Sequence, residues 1–318
     1  MGFIVLTLFI ISLSVVSCKS GNEEKGEGEE TKKDIKTNTV TVAAIQCPSR
    51  MGDIEFNRKL LASLIRKAAA EGAKIIVTPE CSVTGYMDPV REIVWSRRPG
   101  PEGDEIDVRK SAETVPGPST RFFSEYAKSL EIYLCIALVE REKDTFYNTQ
   151  VLFDPKGRIV GHHRKKNLWP VGDSLWADQG DRPLQVVETP YGRIGLMICY
   201  DLHALPQELE KAGADIICYS IGWYGLETRN YFRNTFSVRY VKENGFSVIG
   251  ANWASEKGSP DWSGTGASFV MSSDGTVKAM ARTTQGCEIV IGQIKRTRKS
   301  ERGTRRGAGK TGSPIRDK

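Results

Sequence analysis

Three apolar runs of the sequence are each followed by a residue that can perform acid–base or nucleophilic chemistry. These residues are Glu80, Glu140 and Cys199, which come directly after the run or after a single proline. The runs predict strands, and sites in open α/β sheets assemble at the carboxyl ends of strands. Burial there raises the pKa of a carboxylate toward that of a general base, and a thiol before a turn resembles a nucleophile elbow. Taken singly, each residue also fits a structural role, as a solvated strand end or a buried thiol.

A fourth candidate, Lys165, lies in the basic segment 161–169 between two apolar strands. Such a segment is usually a solvated face. A lysine that reaches a site instead supplies a fixed positive charge, which lowers the pKa of a neighbouring thiol and neutralises an oxyanion.

These pieces, in this order, resemble the nitrilase superfamily, or carbon–nitrogen hydrolases, across residues 39–294. The family's glutamate lies in a strand–Pro–Glu segment, matched at Glu80, with a Gly-Tyr pair after it. Its lysine lies in a Tyr-Arg-Lys-x-x-Leu pattern, matched at Lys165 with His163 in place of Tyr. Its cysteine lies in Gly-x-x-x-Cys-Tyr-Asp, matched by residues 195–201. All of these matches in order are specific, whereas one alone is weak.

Two further matches lie outside these three motifs. Glu140 precedes a Tyr-Asn pair at 147–148, as the family's second glutamate does. A late Glu-Asn pair is matched by Glu243 and Asn244, with Arg239 four residues before the glutamate.

The resemblance implies a mechanism in which Glu80 accepts the thiol proton and Cys199 is the nucleophile. Lys165 and the Tyr200 N–H would stabilise the oxyanion, and Glu140 would orient Lys165 or the substrate. No metal or organic cofactor is implied.

Several side chains are candidates for the substrate pocket. They are Tyr86, Trp169, Tyr200, Trp223 and His203. A role as packing aromatics or, for His203, as a surface residue is equally compatible with their positions.

The Cys-Tyr-Asp sequence looks closer to the amidase and N-carbamoyl hydrolase branch than to the Cys-Trp-Glu of nitrilases. The expected activity is cleavage of a small amide or N-carbamoyl compound, through a Cys thioester, to an acid (or amine and CO2) and ammonia. A nitrilase, an N-acyltransferase and a non-catalytic binding protein on the same scaffold remain alternatives. A Cys–His hydrolase of the papain kind is disfavoured because no histidine follows Cys199 at a long interval.

The implied fold is an α/β protein, the family's four-layer α-β-β-α sandwich, usually paired into homodimers or higher homo-oligomers. The hydrophobic pattern itself predicts alternating strands and covering helices. Predicted helices span 57–71, 119–129 (with Ser119 as N-cap), 206–212 and 234–244. A hairpin is predicted around 273–275, and the polar stretch 87–118 is expected to form a loop around the site entrance.

The N-terminus predicts export. Residues 3–16 are apolar and uncharged, and they lead through Ser17 to Cys18, as in a bacterial lipoprotein signal. We therefore expect a signal peptide over 1–18, lipidation at Cys18 and anchoring of the protein to a membrane on the periplasmic or cell-surface side. Residues 19–38, rich in Glu, Lys and Gly, are expected to be a disordered tether.

The remaining cysteines are widely spaced. Cys135 and Cys218 lie inside apolar runs and are expected to be core residues, and the sequence contains no CxxC motif of a zinc site.

The net charge of +6 belongs to the C-terminus, where residues 295–318 carry ten Lys/Arg against two acids. We expect a basic disordered tail. Binding of this tail to nucleic acid or anionic lipid is an open alternative, with nucleic acid disfavoured for an exported protein.

Overall fold

The structure of the chain is a computed structural model. It describes residues 38–88, 93–98, 106–223, 225, 227–258 and 265–296. The predicted signal peptide with Cys18, nearly all of the predicted tether and most of the basic tail lie outside the described residues.

Two six-stranded mixed sheets form the centre of the protein. The strands are, in chain order, β1 Thr39–Gln46, β2 Ile75–Val77, β3 Met87–Asp88, β4 Ile93–Val94, β5 Tyr133–Glu142, β6 Thr145–Phe153, β7 Ile159–Arg164, β8 Val186–Thr189, β9 Gly192–Ile198, β10 Ile216–Ile221, β11 Ser247–Asn252, β12 Phe269–Met271, β13 Val277–Met280 and β14 Glu288–Lys295. The first sheet has the order β14-β1-β2-β5-β6-β7 and the second β13-β12-β11-β10-β9-β8, while β3 and β4 form a small separate ribbon.

The central strands of each sheet are parallel and the outer strands antiparallel. In the first sheet β1, β2 and β5 run parallel, and in the second β9, β10 and β11 do so. Parallel strands are buried on both faces, which explains why these segments read as continuous apolar runs. Glu80 and Cys199 follow the carboxyl ends of such strands, whereas Glu140 lies within β5, so the expectation that it follows a strand was wrong.

Helices cover the outer face of each sheet. They are α1 Ile54–Ala70, α2 Val108–Ser111, α3 Pro118–Ser129, α4 Pro206–Lys211, α5 Thr228–Asn230 and a π-helix, Tyr231–Lys242. Leu61 and Phe123 of α1 and α3 pack on the first sheet. Leu209 and Phe236, of α4 and the π-helix, pack on the second. A third apolar core lies between the sheets, so the predicted four-layer α-β-β-α sandwich is confirmed.

Two local predictions were wrong. Helix α3 begins at Pro118 with Gly117 as its N-cap, because the Ser119 N–H and hydroxyl are bound to Glu113 instead. The stretch 87–118 is not simply a polar loop, since it contains β3, β4 and α2. It is also fixed to the core by Trp95, which is fully buried and donates its Nε1–H to the Gly85 carbonyl at 2.8 Å.

Strands β7 and β8 were missed because their sequences lack a clear apolar run. The predicted strands and helices otherwise exist, with bounds that shift by a few residues. Helix α1, for example, starts three residues early at Ile54 because the Asp53 side chain caps it by accepting from the Phe56 N–H. Within the described residues no helix is long and apolar enough to cross a membrane.

Candidate active site

The two sheets bring three predicted residues to one place. Glu80 follows β2 of the first sheet, Lys165 follows β7 of the same sheet, and Cys199 follows β9 of the second sheet. Hydrogen bonds between the sheets hold these strand ends together. The Glu80 N–H donates to the Ile221 carbonyl at 3.2 Å, and the Ser220 hydroxyl donates to the Thr78 carbonyl at 2.8 Å.

Glu80 and Lys165 form a buried ion pair that includes a second carboxylate. The Lys165 ammonium lies 2.7 Å from Glu80 Oε1 and 2.5 Å from Asp173 Oδ2, and these three side chains are fully or almost fully buried. Burial lowers the pKa of Lys165, but the two carboxylates raise it well above its usual value. The lysine is therefore a fixed cation.

Asn148 connects the same two carboxylates from the other side. Its Nδ2 donates to Glu80 Oε1 at 2.7 Å and to Asp173 Oδ1 at 3.1 Å. Its Oδ1 accepts from the Cys81 thiol at 3.4 Å. Because the amide has one acceptor end and one donor end, these partners fix its orientation.

One carboxylate oxygen of Glu80 stays available. Oε2 is buried and has no hydrogen-bond partner, while Oε1 receives both Lys165 and Asn148. Burial raises the pKa of Glu80 to about 6, with Asp173 adding to the rise and Lys165 opposing it. A carboxylate with one fixed oxygen and one open oxygen is suited to accept a proton.

Cys199 stands at a sharp turn between β9 and the short 3-10 helix Cys199–His203. Its φ of +36° lies in the left-handed region, which is strained for a residue with a side chain, and the Tyr219 hydroxyl donates to its carbonyl at 2.9 Å. This is the geometry of the predicted nucleophile elbow.

The sequence predicted that Lys165 lowers the pKa of the Cys199 thiol, but other groups outweigh this effect. Burial and the Glu80 carboxylate raise the pKa of Cys199 well above its usual value, although Lys165 and the Gly222 N–H lower it. The resting residue is therefore a neutral thiol that needs a base, which is consistent with the raised pKa of Glu80.

Asp201 ties the elbow to the lysine strand, a role that sequence reasoning missed. Its Oδ1 accepts from the N–H groups of Lys166 and Asn167 at 2.9 and 2.8 Å, directly after Lys165. Its Oδ2 accepts from the Ile198 N–H and lies 2.7 Å from Nε2 of His163. One buried carboxylate thus fixes the strand end before Cys199 relative to the strand end before Lys165.

Glu140 makes no hydrogen bond or ion pair with Lys165, so the expected orientation of that side chain is not supported, and orientation of the substrate stays a prediction. The Glu140 carboxylate instead accepts from Arg164 at 2.5 and 3.1 Å and from the Thr149 hydroxyl at 2.6 Å, and it lies 2.8 Å from His162 Nε2. The side chains of Lys165 and Arg164 point to opposite faces of the sheet because neighbouring residues alternate. Asp173 holds the place beside Lys165, and it was missed because it begins a three-residue 3-10 helix, Asp173–Leu175, which is too short to leave a periodic pattern in the sequence.

The predicted pocket residues form two groups, one in contact with the carboxylates of the site and one paired with other rings. In the first group, Tyr86 is buried beside Glu80 and Gly222, and the backbone N–H of Trp169 donates to Asp173 at 2.9 Å. In the second group, Tyr200 packs on His203 with ring centroids 4.6 Å apart, and Trp223 stacks on Tyr231 with centroids 4.7 Å apart.

His203 lines a cavity of about 700 Å³ between α4 and the π-helix, and none of Glu80, Lys165 and Cys199 lines this cavity. Arg239, Glu243 and Asn244 line it as well, so the late Glu-Asn pair of the sequence is not among the catalytic carboxylates. Burial and then the Arg239 charge lower the pKa of His203.

The profile of the carbon-nitrogen hydrolase family matches residues 41–301. The chain belongs to the carbon-nitrogen hydrolase family. This places it in the nitrilase superfamily that the motifs resemble.

Curated relatives include an aliphatic nitrilase from Sinorhizobium fredii, 34% identical over 181 residues, which are 56% of this chain and 58% of the relative. A nitrilase from Pyrococcus abyssi is 25% identical over 258 residues, 80% of this chain and 89% of the relative. Nitrilase 3 of Arabidopsis thaliana is 29% identical over 216 residues, 65% of this chain and 62% of the relative. The matched region thus spans about three fifths of the length of the Sinorhizobium fredii and Arabidopsis thaliana relatives.

The solved structure of an amidase from Nesterenkonia sp. has the same fold. It superimposes with a TM-score of 0.65 at 19% identity and covers 84% of this chain and 95% of the amidase. A double mutant of the amidase from Nesterenkonia sp. AN1, in complex with acrylamide, gives a TM-score of 0.67 at 17% identity over 88% of this chain and 97% of the mutant.

Proposed function

We propose that this carbon–nitrogen hydrolase cleaves a small amide or N-carbamoyl compound through a thioester on Cys199. The observation that carries the proposal is the unpartnered oxygen of Glu80 in a buried site that also holds a neutral thiol and a fixed ammonium. That set supplies a base, a nucleophile and an oxyanion partner.

In the first half-reaction, Glu80 Oε2 takes the thiol proton as the Cys199 sulfur attacks the carbonyl carbon. The ammonium of Lys165 has three N–H donors, and Glu80 and Asp173 accept two of them. The third stabilises the oxyanion together with the Tyr200 N–H. Protonated Glu80 then donates its proton to the leaving nitrogen, the C–N bond breaks, and ammonia or an amine departs.

In the second half-reaction, Glu80 takes a proton from water as the water oxygen attacks the thioester carbon. Collapse of the tetrahedral species breaks the C–S bond, releases the acid and returns the proton to the sulfur. An N-carbamoyl substrate follows the same steps and yields a carbamate, which decomposes to amine and CO2.

Hydrolysis of a nitrile is the second candidate. The curated relatives named above as nitrilases favour it. The contacts of Asp201 support the amide proposal instead. Four groups surround its buried carboxylate. The glutamate of the Cys-Trp-Glu sequence of nitrilases is longer and would have to fit among the same four groups.

The test is ammonia release by the full chain from a panel of small amides, N-carbamoyl compounds and nitriles, with Cys199→Ala as the matched control. We expect release from amides or carbamoyl compounds by the wild type and none by the variant. Release from nitriles alone would replace the amide proposal by the second candidate. Equal activity of Cys199→Ala would overturn the thiol mechanism itself.

We also propose that the protein is exported, anchored through a lipid on Cys18 and assembled as a homodimer or higher homo-oligomer. The motif at 15–18 supports the anchor, and the family's usual pairing supports the oligomer. Mass spectrometry of the N-terminal peptide from the mature protein tests the lipid, and light scattering of the detergent-solubilised protein tests the assembly.

A further inference from the structure

Cys47 and Cys287 are the residues directly beyond the end of a strand pair. Strands β1 and β14 are antiparallel, and their register runs without interruption from Thr39 opposite Lys295 to Gln46 opposite Glu288. The pairing ends there, and Cys47 and Cys287 are the next residue on each side, with Cys47 forming an isolated bridge to Trp253. The two residues are 240 positions apart in the sequence, so their spacing gives no sign of this pairing.

The neighbouring residues show that the two side chains share a face. Ala43 and Ile45 of β1, and Cys47 directly after it, belong to the core between the first sheet and its helices, and Ile289 and Ile291 of β14 pack against that same core. Side chains alternate along a strand, and Cys287, two residues before Ile289, is within reach of the charge of Lys67 of α1, which covers that face. Directly opposite residues of an antiparallel pair project to the same side.

A third segment fixes the backbone beside both cysteines. The Ala254 N–H donates to the Cys47 carbonyl at 3.2 Å, and the Gly286 N–H donates to the Ser255 carbonyl at 2.7 Å. Ala254 and Ser255 are adjacent in the chain. This segment therefore hydrogen-bonds both to Cys47 and to Gly286, the residue before Cys287.

We propose that Cys47 and Cys287 form a disulfide that fastens the edge strand β14 to β1. Opposite residues of an antiparallel pair have Cα atoms about 4.5–5.5 Å apart. Disulfides need about 4.4–6.8 Å. Both cysteines are free thiols in the structure, so closure of the bond requires the two side chains to turn toward each other.

The two thiols differ in solvent exposure, which determines which of them reacts first. Cys287 is exposed, whereas Cys47 is 1% exposed. Burial raises the pKa of both thiols; the charge of Cys287 adds to the rise at Cys47, and the Lys67 ammonium opposes it at Cys287. Cys287 is therefore the thiol that an oxidant meets first.

The oxidant is a small-molecule disulfide such as oxidised glutathione. The Cys287 thiolate attacks one glutathione sulfur, breaks the S–S bond and expels a glutathione thiolate, which takes up the proton lost by Cys287. The Cys47 sulfur then attacks Cys287 in the mixed disulfide and expels the second glutathione. In sum, two protein thiols are oxidised to one disulfide and one oxidised glutathione is reduced to two thiols.

A second cysteine pair serves as an internal comparison. Cys135 of β5 and Cys218 of β10 face each other between the sheets, and both are fully buried. Neither thiol of that pair is exposed, so both are expected to stay reduced under the same treatment.

The experiment incubates the folded full chain with oxidised glutathione, blocks the remaining thiols by alkylation in denaturant, and maps the peptides without reduction. Wild type is compared with Cys287→Ser and Cys47→Ala. We expect a peptide that joins Cys47 to Cys287 in the wild type and a rise in the melting temperature on the order of 5–10 °C, reversed by dithiothreitol. Cys47→Ala should retain glutathione on Cys287, and Cys287→Ser should leave Cys47 reduced.

Two results would overturn the proposal. One is a wild type that carries glutathione on Cys287 while Cys47 is recovered alkylated, since the second exchange step would then be blocked. The other is recovery of both thiols alkylated after prolonged incubation. The readout does not depend on activity, so it stands apart from the outcome of the ammonia assay.

Discussion

Glu80 and Glu140 are both buried carboxylates with basic partners, yet their pKa values move in opposite directions. Burial raises the pKa of each. At Glu80 the burial effect wins, because Asp173 adds a second negative charge and Lys165 is shared between two acids, so the pKa is about 6. At Glu140 the hydrogen bonds with His162 and Arg164 outweigh burial, and the pKa is about 2. Only Glu80 can exchange a proton near neutral pH.

The pH dependence of activity follows from this difference. Glu80 must be ionised to accept the thiol proton, so kcat/KM should fall about tenfold per pH unit below a pKa of about 6. In Asp173→Asn, the negative charge that raises the pKa of Glu80 is removed. The acidic limb should therefore move to lower pH while kcat drops, because Lys165 loses one of its two carboxylate partners.

The measurement is a pH–rate profile of the wild type, Asp173→Asn and the exposed control Asp144→Asn. The control should keep the limb of the wild type. An Asp173→Asn profile with its limb still near pH 6 would show that the charge of Asp173 does not act on the titrating group.

At the scale of the elements, the site depends on how closely the end of β10 approaches the end of β2. Gly222, the residue after β10, lies so near the base that a Cβ at this position would be 2.5 Å from Glu80 Oε2 and 3.1 Å from the Tyr86 ring. A side chain here has no room unless the carboxylate moves. The glycine thus allows the second sheet to deliver Cys199 against a base that belongs to the first.

Gly222→Ala should therefore reduce kcat/KM on the order of 100-fold, because a displacement of about 1 Å at a catalytic group has that effect. Gly161→Ala is the matched control. Its Cβ would be 3.0 Å from Leu196 Cδ1 and 3.1 Å from Leu152 Cβ, a crowding in the core away from the site. It should lower the melting temperature and leave kcat/KM of the folded protein unchanged. Full activity in Gly222→Ala would contradict the close approach.

At the scale of the whole molecule, the base and the nucleophile belong to different sheets. Their separation is set by the apolar layer between the sheets, in which Leu196 of β9 is 2% exposed and packs with residues of both sheets. This layer has the close packing of a protein interior, so a cavity in it is not filled by small rearrangements.

Leu196→Ala should lower the free energy of unfolding by about 2–5 kcal/mol, since it removes buried methyl groups and leaves a cavity. Val171→Ala, at a position that is 67% exposed, should change it by less than about 0.5 kcal/mol. Urea unfolding followed by circular dichroism measures both. A loss below about 1 kcal/mol for Leu196→Ala would mean that the layer between the sheets can collapse around the gap.

The sequence alone determined the family and the fold, because its apolar runs and motifs are local. Residues 74–80 and 195–201 each hold a strand and the functional residue after it, so Glu80 and Cys199 were found without a structure. The same locality explains why Glu140 was linked to Lys165: it ends an apolar run in the sequence, but it lies inside β5 and its side chain meets Arg164.

Contacts between distant segments were decided only by the tertiary structure. Asp173 binds Lys165 from the start of a short 3-10 helix, Asp201 joins two strand ends of different sheets, and the pairing of β1 with β14 brings Cys47 and Cys287 to the same end of the two strands. None of these contacts leaves a periodic pattern, because each joins residues of different elements and not residues of one helix or strand. Periodicity reports which face of an element is buried, and only the packed layers decide what that face meets.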